Sequence, residues 1–212
     1  MTVETSKAPL DAEGFAALVP VSRETLAKLE AYLGLVVKWQ KAINLVGRST
    51  LEDPWRRHVL DCAQLSRHLP PGPLRLADLG SGAGLPGLVL AVLGVAEVHL
   101  VEADRRKAQF LREAARHLAL DKVRVHAVRI DTLNLQVDVV TARALAPLAD
   151  LLPLAVPLLA PGGRLLLLKG RTAEAELTAA AENWTMRVAV EPSIADPHGR
   201  VLVLDEVRAR GH

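Results

Sequence analysis

The sequence of 212 residues predicts an α/β protein built on a doubly wound, mostly parallel sheet of seven strands with one antiparallel edge strand. From residue 73 onward, short apolar segments alternate with segments of helical periodicity, which is the pattern of parallel strands joined by crossover helices. The last two strand-like segments follow one another with no helix between them. That succession predicts an antiparallel pairing at one edge of the sheet.

The N-terminal third lies before this alternation and predicts a helical cap. Residues 1–20 show no sustained period and predict a loose arm. Ser22 is the predicted N-cap of a helix over residues 22–46, with apolar side chains on one stripe. Thr50-x-x-Asp53 predicts a capping box that opens a second helix reaching about residue 69.

A proline-rich break at residues 70–73 separates the cap from the alternating region. The sequence therefore predicts an arm and helical cap at 1–72 and a main domain at 73–212. The predicted strands of the main domain cover 74–79, 96–101, 123–128, 137–141, 164–169, 185–190 and 200–207. Its predicted helices cover 88–93, 104–118, 148–159 and 173–183.

The segment after the first strand of the main domain is rich in glycine. Gly80, Gly82 and Gly84 recur at every second position, and Gly87 opens an apolar segment of helical character. Glycines at this spacing allow a tight turn and bring a ligand against bare main chain. The helix that follows directs free N–H groups and the positive end of its dipole at the same place. The pattern predicts a loop that binds a nucleotide-like cofactor.

Two carboxylates distinguish between the possible cofactors. Gly82-x-Gly84-x-x-Gly87 matches a dinucleotide-binding pattern, which is weak evidence when it stands alone. Asp78, two residues before the first glycine, would repel a pyrophosphate but would attract a cofactor with a cationic amino-acid end. The loop resembles that of S-adenosylmethionine-dependent methyltransferases. Glu102 ends the next strand, where a doubly wound fold places the carboxylate that binds ribose hydroxyls. We therefore predict S-adenosyl-L-methionine as the cofactor.

Sequence blocks between residues 31 and 207 point to one family. The blocks are Asn44-Leu45 with Arg48, Arg57-His58-Val59-Leu60-Asp61, the loop 78–87, Val101-Glu102-Ala103-Asp104 with Lys107 and Phe110-Leu111, Thr141-Ala142-Arg143-Ala144, and Leu168-Lys169-Gly170. In these blocks the chain resembles the RsmG (GidB) family, bacterial methyltransferases that act on guanine N7 in small-subunit ribosomal RNA. The resemblance implies a Rossmann-like class I methyltransferase fold and an N-terminal cap that contacts RNA.

The resemblance also implies a set of site residues. The loop residues would line the methionine side of the cofactor, Glu102 its ribose, and Ile130 and Asp131 its adenine, with Asp131 accepting from the exocyclic amine. The cofactor-binding residues are then Asp78, Gly80, Ser81, Gly82, Gly84, Leu85, Glu102, Ile130, Asp131 and Arg143. The candidate catalytic residues are three cations at strand ends, Arg143, Lys169 and Arg200. Each of these cations could instead be a structural residue paired with a nearby carboxylate.

The chemistry of methyl transfer fits this choice of target atom. Transfer from a sulfonium is an in-line displacement, so alignment is the main task of the enzyme. Guanine N7 has an available lone pair and no proton, so the reaction needs no general base, and the sequence offers no convincing one. We predict methyl transfer from S-adenosyl-L-methionine to N7 of a specific guanine in 16S ribosomal RNA.

Other functions stay open at this point. The main alternative is a methyltransferase of the same type that acts on a small molecule or on another RNA. A nicotinamide dehydrogenase is disfavoured because Tyr32, the only tyrosine, has no lysine four residues later. A pure binding protein is disfavoured because it would not need Asp78 and Glu102 in register.

Charge and composition indicate the partners and the compartment. Residues 38–68 hold six Lys and Arg against three acidic residues, a local excess that favours RNA, although a solvated helix face would explain it equally well. Cys62 is the only cysteine, so an internal disulfide and a cysteine metal cluster are excluded. No apolar run reaches the length of a membrane span, and no signal peptide is apparent. We expect a cytoplasmic monomer without a metal or a membrane anchor, and 16S ribosomal RNA or the small ribosomal subunit as its partner.

Overall fold

The computed structural model describes residues 8–211, and its central feature is one sheet of seven strands. The strands are β1 (Arg75–Leu79), β2 (Glu97–Val101), β3 (Val123–His126), β4 (Val137–Arg143), β5 (Leu159–Lys169), β6 (Trp184–Pro192) and β7 (Arg200–Ala209). Their spatial order is β3-β2-β1-β4-β5-β7-β6. β1 to β5 are parallel, and β7 runs against β5 on one side and against the edge strand β6 on the other. The predicted sheet, with its antiparallel pairing at one edge, is confirmed.

The α-helices cover both faces of the sheet, and the last four of them connect its strands. They are α1 (Ala12–Leu18), α2 (Arg23–Gln40), α3 (Asp61–Ala63), α4 (Gly87–Val92), α5 (Arg105–His117), α6 (Leu148–Ala155) and α7 (Ala173–Ala180). No described helix is both long enough and apolar enough to cross a lipid bilayer.

Local sequence signals explain where two of the helices begin and end. Asp104 caps α5 by accepting hydrogen bonds from the N–H groups of Arg106 and Lys107 at 2.8 and 3.0 Å. Ser22 caps α2 by accepting from Thr25 N at 3.1 Å. α2 stops at Gln40 rather than near residue 46, because the Gln40 amide oxygen accepts from the next turn of chain and folds it back.

The second predicted cap helix, 50–69, is wrong as one continuous helix. The chain instead forms a 3₁₀ turn at Arg48–Glu52, a π-type turn at Trp55–Leu60, α3, and a 3₁₀ turn at Gln64–His68. The capping box is not formed, because both of its side chains have other partners. Thr50 Oγ1 donates to Gly47 O at 2.6 Å, and Asp53 Oδ1 accepts from Leu10 N at 2.9 Å.

The predicted loose arm is also wrong for the part that the structure describes, residues 8–20; residues 1–7 lie outside the described residues. Asp11 accepts from Gly14 N at 2.8 Å and caps α1. Phe15 on this helix is fully buried, and its ring centroid lies 5.4 Å from that of Trp55. Burial of this one aromatic side chain therefore fixes the arm on the cap. A single buried residue produces no periodic pattern in the sequence.

Two hydrophobic clusters lie on the two faces of the sheet. One joins the N-terminal helices, α4 and α5 to strand residues such as Leu76 and Val98. The other joins α6 and α7 to the opposite face, through residues such as Ala77 and Leu165. Because β1 to β5 are parallel, their carboxyl ends share one edge, and the glycine-rich loop leaves β1 at that edge.

We predict that Phe15→Ala lowers the free energy of unfolding by about 3–5 kcal/mol, because it empties a buried aromatic site. Leu18→Ala, in the same helix but with half of its side chain exposed, is the matched control and should change stability by less than about 0.5 kcal/mol. Urea denaturation measures both values. Equal effects of the two substitutions would show that α1 does not pack on the cap.

Candidate active site

A cavity of about 690 Å³ opens at the carboxyl edge of the sheet, within the usual size range of small-molecule sites. The glycine-rich loop forms its floor, and the ends of β4 and β5 form one wall. The turns from Leu45 to Asp61 and the loop between β6 and β7 form the others. The three predicted catalytic cations, Arg143, Lys169 and Arg200, all line this cavity.

The glycine-rich loop presents bare backbone to the cavity. Gly82 has a φ of +54°, and the only heavy atom within 4 Å of a Cβ built on it is Gly80 O, at 3.8 Å. The space above Gly82 is therefore open, and a ligand can approach the main chain there. Gly87 is different, since a Cβ at that position would overlap Leu100 and lie 2.8 Å from Asp78 Cβ. Gly87 thus allows α4 to pack closely against β1 and β2.

Asp78 supports the loop from below. Its side chain is fully buried, with Oδ2 accepting from Gly87 N at 3.1 Å and Oδ1 accepting from Thr141 Oγ1 at 3.0 Å. Burial raises the pKa of this carboxyl group to about 7, although the two hydrogen bonds oppose the shift. The carboxylate contacts α4 and β4 and does not line the cavity, so the predicted contact between Asp78 and the cationic end of the cofactor stays a prediction.

Glu102 ties the loop to the end of β2. Its Oε2 accepts from Gly82 N at 2.9 Å, and its Oε1 accepts from Asp104 N at 2.8 Å. Each carboxylate oxygen can accept a second hydrogen bond. Glu102 can therefore hold the loop and still accept hydrogen bonds from two ribose hydroxyls. This acceptor set, beside the open backbone at Gly82, fits S-adenosyl-L-methionine.

The structure does not bring the predicted adenine residues into the cavity. Ile130 and Asp131 lie in a 3₁₀ turn after β3, two strands away from β1 in the sheet. Ile130 packs against the hydrophobic cluster of α6 and α7. Asp131 is exposed and forms an ion pair with Arg129, whose Nη2 lies 2.8 Å from Oδ2. Glu102 likewise lies outside the cavity lining, so an adenosine contact by these residues stays a prediction.

Arg143 is held by three acceptors from the segment at Trp55–Asp61. Nη1 donates to Asp61 Oδ2 at 3.1 Å and to Arg57 O at 3.0 Å, and Nη2 donates to His58 Nδ1 at 3.3 Å. The Thr50 hydroxyl donates to Gly47 O, so the proton of His58 lies on Nε2 and is donated to Thr50 Oγ1 at 2.9 Å.

His58 and Asp61 are therefore engaged in fixing Arg143. Burial and the positive charges of Arg143 and Arg57 lower the pKa of His58 to about 4, so the imidazole is neutral. Burial also raises the pKa of Asp61, against the opposing effect of Arg143. The Arg-His-x-x-Asp block of the sequence thus supplies the hydrogen-bond acceptors that hold Arg143 in place.

The other two cations differ in their partners. Lys169 Nζ lies 2.7 Å from Glu176 Oε2 and donates to Ala146 O at 2.6 Å, so its charge is neutralised. Arg200 donates only to backbone oxygens, with Gly199 O at 2.9 Å, and forms no ion pair within residues 8–211. Of the three predicted catalytic cations, Arg200 is the one whose charge is available to an anion.

Comparison with known proteins decides the family. The family model described as rRNA small subunit methyltransferase G matches residues 25–202. The chain belongs to this family. A ribosomal RNA small subunit methyltransferase G from Rhodospirillum rubrum is 56% identical over 196 residues, which cover 92% of this chain and 97% of that relative. The predicted methyltransferase G family and enzyme class are confirmed.

Solved structures support the fold of this methyltransferase G chain. A ribosomal protein L11 methylase from Lactobacillus delbrueckii subsp. bulgaricus has a TM-score of 0.58 and 18% identity, over 72% of this chain and 77% of that one. A SAM dependent methyltransferase from Aquifex aeolicus has a TM-score of 0.56 and 16% identity, over 74% and 95% of the two chains. At these identities the similarity concerns the fold alone, and it confirms the Rossmann-like methyltransferase architecture.

The sequence alone did not reveal two contacts that shape the methyltransferase G site. The hydroxyl of Tyr32, a buried residue of α2, donates to Ala83 O at 2.8 Å and so anchors the glycine-rich loop to the cap. Arg57 Nη1 lies 2.7 Å from Asp196 Oδ2 and joins the cap to the loop between β6 and β7. Both contacts link residues far apart in the chain, and no local pattern signals either of them.

The buried Asp78 carboxyl predicts a pH effect on stability. Folding raises its pKa from about 4 in an exposed chain to about 7. Between these values the folded state holds a proton that the unfolded chain releases, so this contribution to stability is complete below about pH 4 and is lost as the pH rises to about 7.

We expect the free energy of unfolding of the wild type, minus that of Asp78→Asn, to fall from about pH 4 to about pH 8, because the amide cannot titrate. Urea denaturation across this range measures the difference. Asp150→Asn, at an exposed position, is the control for the loss of one carboxylate. A difference between wild type and Asp78→Asn that is independent of pH would contradict the raised pKa.

Glu102→Gln should weaken cofactor binding by about 1–2 kcal/mol, because it replaces charge-assisted hydrogen bonds with neutral ones. Asp131→Ala should cause a loss of similar order if Asp131 binds the adenine amine. Calorimetric titration with S-adenosylhomocysteine measures both. Glu97→Gln, at the opposite end of β2, should bind like the wild type. Unchanged affinity in both test variants would place the adenosine pocket elsewhere.

Proposed function

We propose that this methyltransferase G transfers the methyl group of S-adenosyl-L-methionine to N7 of one guanine in 16S ribosomal RNA. One observation favours N7 over a target that must lose a proton: each carboxylate and the one histidine in the described cavity lining are already engaged. The three carboxylates form ion pairs, Asp61 with Arg143, Asp196 with Arg57 and Glu176 with Lys169. Both nitrogens of His58 are hydrogen-bonded.

S-adenosyl-L-methionine is the methyl donor, and it supplies an electrophilic methyl carbon bound to a positively charged sulfur. The open backbone at Gly82 and the Glu102 carboxylate are the groups that would hold it, with Leu85 in the cavity wall. Asp78 fixes the loop through Gly87, and Tyr32 fixes it through Ala83. The chain therefore contributes alignment rather than proton transfer.

The cavity suits a reaction in which positive charge moves onto the base. Methylation of N7 leaves the guanine cationic, and an unpaired cation beside it would oppose the transition state. Arg143 and Lys169 are each neutralised by a carboxylate. We assign Arg143 to orientation at the cavity wall, and we assign Arg200, which has no acidic partner in the described chain, to an RNA phosphate.

The helical cap is the proposed second RNA contact. Of the six cations in residues 38–68, Arg56 and Arg57 form ion pairs with Asp53 and Asp196. The four that are exposed and form no ion pair within residues 8–211 are Lys38, Lys41, Arg48 and Arg67. Free, exposed cations of this kind bind phosphates and make RNA affinity depend on salt.

We further propose that the protein acts in the cytoplasm as a monomer, with ribosomal RNA or the small subunit as its substrate. Light scattering with size-exclusion chromatography tests the monomer, and a mass of two chains would contradict it.

The decisive experiment transfers labelled methyl to naked 16S ribosomal RNA, to small subunits, and to a mixture of small metabolites. We expect label in ribosomal RNA as 7-methylguanosine, which borohydride and aniline treatment convert to a single strand break. Methyl on any other ribosomal atom, or comparable transfer to a small metabolite, would contradict the proposal and support the alternative of another substrate.

Arg200→Ala should weaken RNA binding and reduce the slope of log K against log salt by about one, because one phosphate contact is removed. Cofactor affinity should stay unchanged. Filter binding at several salt concentrations measures the slope. Arg116→Ala, on the exposed side of α5, is the control for the loss of one positive charge. An unchanged slope for Arg200→Ala would remove Arg200 from the RNA interface.

A further inference from the structure

The loop between β4 and α6, residues 144–147, combines two unusual features inside the cavity. Ala144 has a φ of +51°, a left-handed conformation that non-glycine residues rarely adopt. The next residue, Leu145, keeps 37% of its surface exposed. Of the exposed large apolar side chains in the described chain, Leu145 alone lines the cavity. Backbone strain of this kind clusters at active sites and ligand-binding loops.

Leu145 lies directly over the cofactor loop. A Cβ built on Gly80 would overlap the end of the Leu145 side chain and lie 3.3 Å from its Cγ. The leucine therefore rests on the glycine backbone with its outer side toward the cavity. The described cavity lining contains no Phe, Tyr or Trp. Leu45, Leu85 and Leu168, its other leucines, are buried.

An ion pair holds the end of this loop that leads into α6. Lys169 Nζ donates to Ala146 O at 2.6 Å, and Glu176 Oε2 accepts from Leu148 N at 2.9 Å. The two charged groups lie 2.7 Å apart, with side chains that are 10% and 17% exposed. Thr172 Oγ1 orients the carboxylate by donating to Oε1 at 2.7 Å. The pair thus fixes the strained loop from β5 and α7.

We propose that the loop 144–147 is the platform on which the target guanine lies, with Leu145 contacting the face of the base. Lys169 and Glu176 are then positioning residues that hold the platform, and Lys169 is not a catalytic cation. The inference rests on the proposed function and adds to it the residue that holds the base. An apolar side chain suits this place because it contributes dispersion contact without charge beside the cationic product.

The first test compares Leu145→Ala and Leu145→Met with the wild type in methyl transfer to 16S ribosomal RNA. We expect Leu145→Ala to lower kcat/KM by roughly tenfold or more, as for loss of an apolar contact in a binding pocket. Leu145→Met should restore most of it because the side-chain volume is similar. The Kd of S-adenosylhomocysteine should change less than twofold. Leu18→Ala, exposed on α1, is the control.

Two results of this test would overturn the platform. An unchanged kcat/KM in Leu145→Ala would show that the base does not contact the leucine. An equal loss of S-adenosylhomocysteine affinity would make Leu145 a cofactor contact instead. Wild-type protein that forms no 7-methylguanosine in 16S ribosomal RNA would refute the proposed function and the platform with it. If the wild type is active and the Leu145 variants have the same kcat/KM as the wild type, only the platform is refuted.

The second test separates positioning from catalysis at the ion pair by a double-mutant cycle. Lys169→Met and Glu176→Gln should each lower kcat. The kcat of the double variant should be no lower than that of the less active single variant, because both substitutions disrupt the same ion pair. Lys169→Arg should recover part of kcat, since it keeps the charge. Circular dichroism and urea denaturation confirm folding. Full kcat in Glu176→Gln, with a large loss in Lys169→Met, would make Lys169 act directly on the substrate and contradict the positioning role.

Discussion

The buried carboxyl group of Asp78 is the contact on which the site depends. It joins the end of β1 to the first residue of α4 and to Thr141 of β4. The glycine-rich loop is the segment between Asp78 and Gly87, so the hydrogen bond between these two residues fixes both ends of the loop. Arg143 follows Thr141 by two residues in the same strand. One buried group therefore fixes the cofactor loop and the strand that carries the cavity arginine in a single frame, which a surface contact could not do in water.

Most of the charged side chains that line the cavity form ion pairs with one another. Arg143, Lys169 and Arg57 each face a carboxylate, and the pairs of Arg143 and Arg57 join elements that are distant in sequence. The paired groups present oriented hydrogen-bonding atoms to the cavity, while Lys107 and Arg200 line it without an ion pair within residues 8–211. In the proposed N7 reaction, the paired cations add no uncompensated charge beside the substrate, and the unpaired ones are assigned to the RNA backbone. Preorganised dipoles of this kind need no rearrangement during the reaction.

Local signals in the sequence were sufficient for the strands, for the caps at Asp104 and Ser22, and for the cofactor loop, because each depends on near neighbours. The cap was predicted less well. α1 forms because Phe15 reaches Trp55, forty residues away in the chain, and the helix expected after Thr50 breaks because Asp53 binds Leu10 N. The three candidate cations line one cavity, but the sequence did not indicate their partners. Asp61 is 82 residues from Arg143, and only the fold brings them together.

The hydrophobic cluster that joins the N-terminal helices to one face of the sheet has a consequence for how this architecture can change. Leu29, Val36 and Phe15 share that cluster with Leu76, Val98 and Leu100, so the cap packs with α4 and α5 on this face of the sheet. The cap is thus part of the core and not an interchangeable module. Recombination that replaced residues 1–72 with a foreign RNA-binding segment would expose a broad apolar surface and release Tyr32 from the loop. Substitutions are therefore tolerated on the outer face of the cap, while its inner face is constrained by packing in the core.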